Sequence, residues 1–297
     1  MKHIYYIIIL INIVFTQSHF NNSDSLFIYS EFEKINKKYS SILGRNSDPK
    51  LITDISKTTL LIRKISWTIL TMPGLRTLTN LLYPKTTISY FNVNNAVAFT
   101  IDDGFCGIDN KNGCMLKEVK ELFKTYNAHA TFFVAGTHCK NVSKTLVNEL
   151  IEDGHEIANH NMMDWSYKEY SKDEFEYDLL LTKNILLNYN QEYSKWYRTP
   201  FGHLSENIQN ILNKHNLINV LPDAFAHDTY IPDPKWIAKT ILRQVKSGSI
   251  ILIHMPETGI REWNLEAIEL TLKGLQKKNM KILTLSEIEQ LEIINIY

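Results

Sequence analysis

The sequence predicts an α/β fold: a parallel sheet curled toward a barrel, preceded by a helical extension. Two observations predict it. From Asn95 onward short apolar runs alternate with stretches of helical period, and the alternation is sustained over about two hundred residues. Polar residues also stand at the C-terminal ends of the apolar runs, where barrels of this architecture carry their chemistry. The expected strands are 96–101, 130–135, 156–158, 196–197, 218–221, 249–253 and 281–285. Between them lie helices with start signals. Ser171 with Glu174 and Ser286 with Glu289 have capping-box spacing, and Asp233-Pro234 pairs a cap with a first-turn proline.

Composition narrows the class. With 44% hydrophobic residues and 22% charged, the chain can bury a sizeable core. The 32 basic residues cancel 32 acidic ones, which excludes a dedicated nucleic-acid binder with a basic face. No apolar run reaches the roughly eighteen residues of a membrane-spanning helix. A monomer is expected.

The first eighteen residues read as a secretory signal peptide. Lys2 and His3 precede an apolar run over 4–15, and Thr16-Gln17-Ser18 follow. A buried first helix or an uncleaved anchor is the alternative. Secretion would place Cys106, Cys114 and Cys139 in an oxidising setting, where Cys106 and Cys114 are close enough in sequence to bridge a loop, leaving Cys139 unpaired. Residues 19–94 are expected to form a helical extension without chemistry. Leu51, Ile52, Ile55, Leu60, Leu61 and Ile62 recur at helical spacing, and Arg63, Lys64 and Arg76 lie among Trp67, Ile69 and Leu70. That pattern fits a helical pair packed on the main domain, or an amphipathic face making peripheral membrane contact.

Five polar groups fall at successive strand ends: Asp102-Asp103 before Gly104, His160, Arg198, Asp228 and His254. Singly, each has a structural explanation, as a turn, a packed imidazole or an exposed base. Together they converge on one face if the strands run parallel. Asp103, His160 and Asp164 offer two carboxylates and an imidazole, the last two at i and i+4, hence on one face if the segment is helical. Such a set suits a catalytic divalent metal: zinc, with cobalt, nickel or manganese also admitted. Asp102 would serve as general base and His254 as general acid, so the set suits metal-assisted hydrolysis of an amide or ester. No P-loop, dinucleotide fingerprint or nucleophile elbow is present.

Four stretches, Thr100-Ile101-Asp102-Asp103-Gly104, 154–160 (GHEIANH), Arg198-Thr199-Pro200-Phe201-Gly202 and Ile251-Leu252-Ile253-His254, resemble the ordered motifs of polysaccharide deacetylases. This is the NodB homology domain of carbohydrate esterase family 4, which includes chitin and peptidoglycan deacetylases. The resemblance runs over about 95–291, leaving 292–297 as a tail, and implies a distorted (β/α) barrel with one divalent metal. It also implies that Asp102 is the catalytic base, Asp103 and His160 are metal ligands, Arg198 orients the base, and His254 is the acid. Phe201 falls where the family uses a backbone N–H to stabilise an oxyanion. Asp228 is the chosen acidic partner of His254, with Asp223 as rival. Two departures stand out. Asp164 replaces the second histidine ligand, either as a ligand itself or as a helix cap in a crippled site. The tryptophan-containing acidic motif near Asp228 is barely recognisable, while His203 and His227 are spare imidazoles nearby. The resemblance implies an N-acetylated, chitin-like glycan as substrate. A catalytically dead carbohydrate-binding protein and a hydrolase of a small non-sugar amide are the alternatives.

Overall fold

The computed structural model describes residues 55–71, 83, 86–107, 110, 113–189 and 191–296. The expected signal segment, with Leu51, Ile52 and Arg76 of the extension, lies outside them. Apart from Ile55, the described residues belong to one compact unit, Ser56–Tyr297.

The unit opens with helix α1 (Lys57–Leu70), capped by the Ser56 side chain, which accepts from the Thr59 N–H. Eight sheet members then run in the order β1 (Thr87–Ile88), β6 (Ile218–Val220), β5 (Trp196–Tyr197), β4 (Glu156–Asn159), β3 (Thr131–Val134), β2 (Ala96–Gly104), β8 (Ile250–His254) and β7 (Ala224–Phe225). All these pairings are parallel. β9 (Lys281–Leu283) pairs with the N-terminal part of β2. The helices between are α2 (Leu116–Thr125), α3 (Lys144–Glu152), α4 (Lys172–Leu186), α5 (Glu206–Lys214), α6 (Pro234–Gln244), α7 (Trp263–Lys277) and α8 (Leu285–Ile296). The expected α/β architecture is present as a distorted barrel. Among the described residues its end strands β1 and β7 each pair on one side only, so the sheet stays open there.

Parallel strands are covered on both faces, and β2 is buried along all nine residues. Its side chains alternate. Val97, Phe99 and Ile101 pack with α2, α6 and α7, whereas Ala96 and Ala98 face a second core with Phe133, Trp196 and Val220. Thr100 and Asp102 continue that second face toward the strand's C-terminal end. The close approach of the chain before β2 to the turn before β8 requires a glycine. Phe91 donates its N–H to the Gly248 carbonyl at 2.8 Å. Gly248 has φ +77°, and a Cβ there would lie 1.7 Å from the Phe91 carbonyl oxygen.

Several expectations need correction. The extension does not end at 94: Thr87–Ile88 is a strand of the sheet, and α1 belongs to the same unit as the barrel. Ala224–Phe225 is also a strand the pattern did not predict. The Ser171–Glu174 capping box and the Asp233 cap before Pro234 are present. The box expected at Ser286–Glu289 forms instead at Thr284–Glu287, with both reciprocal bonds. Ser286 is drawn away because its hydroxyl donates to Glu156 at 2.6 Å and accepts from the Trp196 indole at 3.0 Å. The three cysteines are free thiols, with Cys106 and Cys114 within hydrogen-bonding reach of each other rather than bridged. Among the described residues no helix is long and apolar enough to cross a membrane.

Candidate active site

Asp102 and Asp103 are neighbours on β2, and a regular strand would send them to opposite faces. Asp103 escapes this because it adopts φ +58°, beside a register irregularity between Ile101 and Gly104. Aspartate tolerates the left-handed region better than most residues. Both carboxylates are buried, at 4% and 2% exposure.

Asp102 faces Arg198, which follows β5. Arg198 Nη1 donates to Asp102 Oδ1 at 2.6 Å and to Thr100 Oγ1 at 2.7 Å, and its Nε donates to the Val220 carbonyl at 3.0 Å. The guanidinium also lies 4.1 Å above the Phe133 ring centroid. Four contacts fix its plane, so Asp102 meets a buried, correctly aimed cation. The Arg198 carbonyl in turn accepts from His160 Nδ1 at 2.8 Å. That bond fixes the tautomer and leaves His160 Nε2 as the free acceptor, 3.8 Å from Asp103 Oδ1.

Asp164 completes the cluster: one donor atom each from Asp103, His160 and Asp164 lies within 4.8 Å of the others. The segment from His160 to Asp164 is not the expected helical turn. It is a run of bends entered through Asn161 at φ +64°, and this brings Asp164 round. Nor is Asp164 a helix cap, since the next helix is capped by Ser171.

The electrostatics match a cation. Burial pushes the Asp164 carboxyl up to about 6, reinforced by the negative charge of Asp103. Burial also opposes the charge of Asp103, but Arg261 beside it, helped by His254, His160 and His138, holds that carboxyl well below the ordinary range. Asp103 Oδ1 is buried with no hydrogen-bond partner, a condition that normally costs stability. Two crowded carboxylates, one orphaned oxygen and one free imidazole nitrogen suit a divalent ion, with no geometric preference that singles out zinc.

His254 ends β8 opposite Asp102 in register. Its Nδ1 lies 2.9 Å from Asp228 Oδ1, and its backbone N–H donates to Asp228 Oδ2 at 2.7 Å. Burial disfavours the imidazolium, yet the Asp228 carboxylate outweighs burial and raises His254 to about 9. The Asp228 carboxyl is held low by the same partner against its own burial. Asp223, the rival, sits at the opposite end of β8, accepting from the Ile250 N–H at 2.9 Å and the Ser249 hydroxyl at 3.2 Å.

Phe201 follows β5 in a 3-10 turn, with φ +58° and the residue 46% exposed. His203 and His227 stay out of the cluster: His203 bonds the Ser166 hydroxyl at 2.7 Å, and His227 stacks on Trp67. Trp196 is core, and Trp263 donates to the Asp228 carbonyl at 2.8 Å.

Sequence reasoning missed Arg261. Its Nη1 donates to Asp103 Oδ2 at 2.6 Å and its Nη2 to Glu257 Oε1 at 3.1 Å. Glu257 is anchored by the Gly107 N–H at 2.8 Å and Asn110 at 2.9 Å. A Glu and an Arg four residues apart just after His254 was the available signal. His138 was also missed, and its Nδ1 donates to the Asp103 carbonyl at 2.9 Å.

Residues 92–220 match the family model described as polysaccharide deacetylase. This part of the chain is similar to polysaccharide deacetylases. A peptidoglycan-N-acetylglucosamine deacetylase of Bacillus cereus is 26% identical over 209 residues, covering 66% of this chain and 89% of that one. A chitooligosaccharide deacetylase of Azorhizobium caulinodans is 27% identical over 161 residues, covering 54% and 73%. Among solved structures, a family 4 carbohydrate esterase pseudoenzyme from Bacillus anthracis superposes with a TM-score of 0.59 at 22% identity, covering 70% of this chain and 69% of its own; the likeness concerns the fold. Asp102, Asp103, His160, Asp164 and Arg198 lie inside the deacetylase stretch, whereas Asp228, His254 and Arg261 follow it.

Proposed function

We propose that the protein is a metal-dependent hydrolase of the secretory pathway that removes N-acetyl groups from an N-acetylglucosamine-containing, chitin-like polysaccharide. The observation that carries the reading is the flanking of one donor cage by two groups, each held by a partner of opposite charge. Asp102 is a carboxylate held by Arg198, and His254 is an imidazolium held by Asp228. Amide hydrolysis needs a base for water and an acid for the departing amine, and a carboxylate and an imidazolium beside one cage divide those tasks.

Asp103, His160 and Asp164 would hold the ion, zinc being the first expectation, and a bound divalent ion would polarise the acetamide carbonyl and lower the pKa of water. Asp102 takes the proton from the attacking water. Arg198 keeps its Oδ1 occupied and its carboxylate plane fixed, which leaves Oδ2 for that proton. The Phe201 N–H serves the developing oxyanion, a role independent of the exposed ring. His254 carries a proton at neutral pH and delivers it from Nε2 to the amine, while Asp228 retains Nδ1.

The test is acetate release from N-acetylglucosamine oligomers and from peptidoglycan fragments, each with and without chelator. Chelator-sensitive release from the chitin-like oligomers is the expected result. Release from peptidoglycan alone would move the substrate. A metal-loaded protein that binds the oligomers yet frees no acetate would be a carbohydrate-binding pseudoenzyme, and cleavage of a small amide alone would remove the glycan.

A further inference from the structure

Helix α1 precedes the stretch that matches the deacetylase family, and its polar and aromatic side is not spent on solvent. Leu61, Ile62, Ile65 and Ile69 are exposed, each more than half accessible. Arg63, Lys64 and Trp67 turn inward, onto the connection between β7 and α6. Arg63 Nη1 donates to the Tyr230 carbonyl at 3.1 Å, with its guanidinium 5.8 Å from the Tyr230 ring centroid. Lys64 pairs with Asp233, the cap of α6. Trp67 stacks on His227 at 4.6 Å between centroids and 27° between planes, and meets Phe225 edge-on at 5.8 Å. His227 also packs on Tyr230 at 4.7 Å. The helix end is secured by Arg243 of α6, whose Nη2 donates to the Thr68 carbonyl at 3.3 Å and Thr71 Oγ1 at 3.0 Å.

Among the described residues the connection 226–233 has no strand partner and is folded by three turn bonds, two onto the His227 carbonyl from Tyr230 at 3.2 Å and Ile231 at 3.0 Å and one from Asp233 onto the Ile231 carbonyl at 2.8 Å. It carries Asp228, the partner of His254. Asp228 is gripped from one side by α7, through Asn264 at 2.9 Å to its carboxylate and Trp263 to its carbonyl. The residues on either side of it, His227 and Tyr230, are gripped from the other side by α1. Segments with few bonds of their own take their order from what packs on them.

We propose that α1 is a positioning element of the active site: Trp67 and Arg63, packed on His227 and Tyr230, hold the 226–233 connection so that Asp228 stays in hydrogen-bond register with His254. Burial, which lowers His227 to about 4 and keeps it uncharged, agrees with an imidazole used as a flat stacking surface. The helix therefore serves the reaction without touching substrate. Its effect on turnover rests on His254 being the acid, whereas its effect on the connection does not.

The experiment compares hydrogen–deuterium exchange and acetate-release kinetics of the full chain for wild type, Trp67→Ala, Trp67→Phe, Arg63→Gln and the solvent-side control Leu61→Ser. In Trp67→Ala, amides of 226–233 should exchange about tenfold faster while those of β2 and β3 stay protected. Its kcat should fall about tenfold with KM nearly unchanged, since the defect lies in proton delivery rather than binding. Trp67→Phe should recover most of both losses, and Leu61→Ser should show neither. Arg63→Gln removes the Tyr230 contact and should loosen the same amides in part, so it carries the test if Trp67→Ala does not fold. Unchanged exchange in 226–233, or acceleration spread evenly over the whole unit, would overturn the proposal. A wild type that frees no acetate would count against the deacetylase reading alone, and the exchange pattern would still decide the role of α1.

Discussion

Asp228→Asn isolates the cause of the unusual basicity of His254. The carboxylate lies 2.9 Å from Nδ1 and raises the imidazole from 6.5 to about 9, although burial acts in the opposite direction. A displacement of that size corresponds to roughly 3 kcal/mol in favour of the imidazolium. Because the folded value lies above the unfolded one, this stabilisation is fully present below pH 6.5 and is lost as pH rises through about 9. In Asp228→Asn the side chain keeps its shape but not its charge, only the smaller effect of the Asp103 carboxylate still opposes burial, and His254 should titrate well below its wild-type value. The assay is NMR titration of the imidazole in chelator-treated protein, paired with urea unfolding at pH 6 and pH 10. Wild type should lose its stability advantage over the variant between those two pH values. If His254 in Asp228→Asn titrates where it does in wild type, the carboxylate is not the cause and the assignment of the acid's partner fails.

Three further outcomes follow from the same geometry. Asp102→Asn should lower acetate release by about 10²–10⁴, the usual scale for losing a general base, with metal content unchanged; substantial residual turnover would refute the assignment. Arg198→Met strands a buried carboxylate and should cost about 3–5 kcal/mol in urea unfolding; adding Asp102→Asn should return part of the loss, and no recovery would mean the arginine acts by packing alone. Gly248→Ala places a Cβ 1.7 Å from a backbone oxygen and should destabilise by more than about 1 kcal/mol; a wild-type melting temperature would show that this approach of chains relaxes freely.

Much of the site was legible because polar residues interrupt apolar strands at their C-terminal ends. Asp102 follows the buried Val97–Ile101 stretch and His254 follows Ile250–Ile253, and both register and position came out as the parallel alternation implies. Other features depended on tertiary competition. Thr284–Glu287 and Ser286–Glu289 fit the same capping pattern, and the partners of the second pair, Glu156 for Ser286 and Lys195 for Glu289, decide between them. Thr87–Ile88 and Ala224–Phe225, two residues each, are too short for a period to register. The convergence of Asp164 came through a left-handed Asn161 and bends, not the helical turn its spacing suggested. Arg261 lies in a loop with no strand end to mark it, and α1 showed amphipathicity without revealing that its polar side faces Asp228's connection.

The central claim is that Asp103, His160 and Asp164 share one divalent cation. Titration calorimetry of zinc into chelator-treated wild type, Asp164→Ala and His160→Ala tests it without reference to any substrate. One ion per chain for wild type, weakened about 10–100-fold in each variant, is the predicted result. Absence of binding by wild type, or equal affinity in all three proteins, would contradict it.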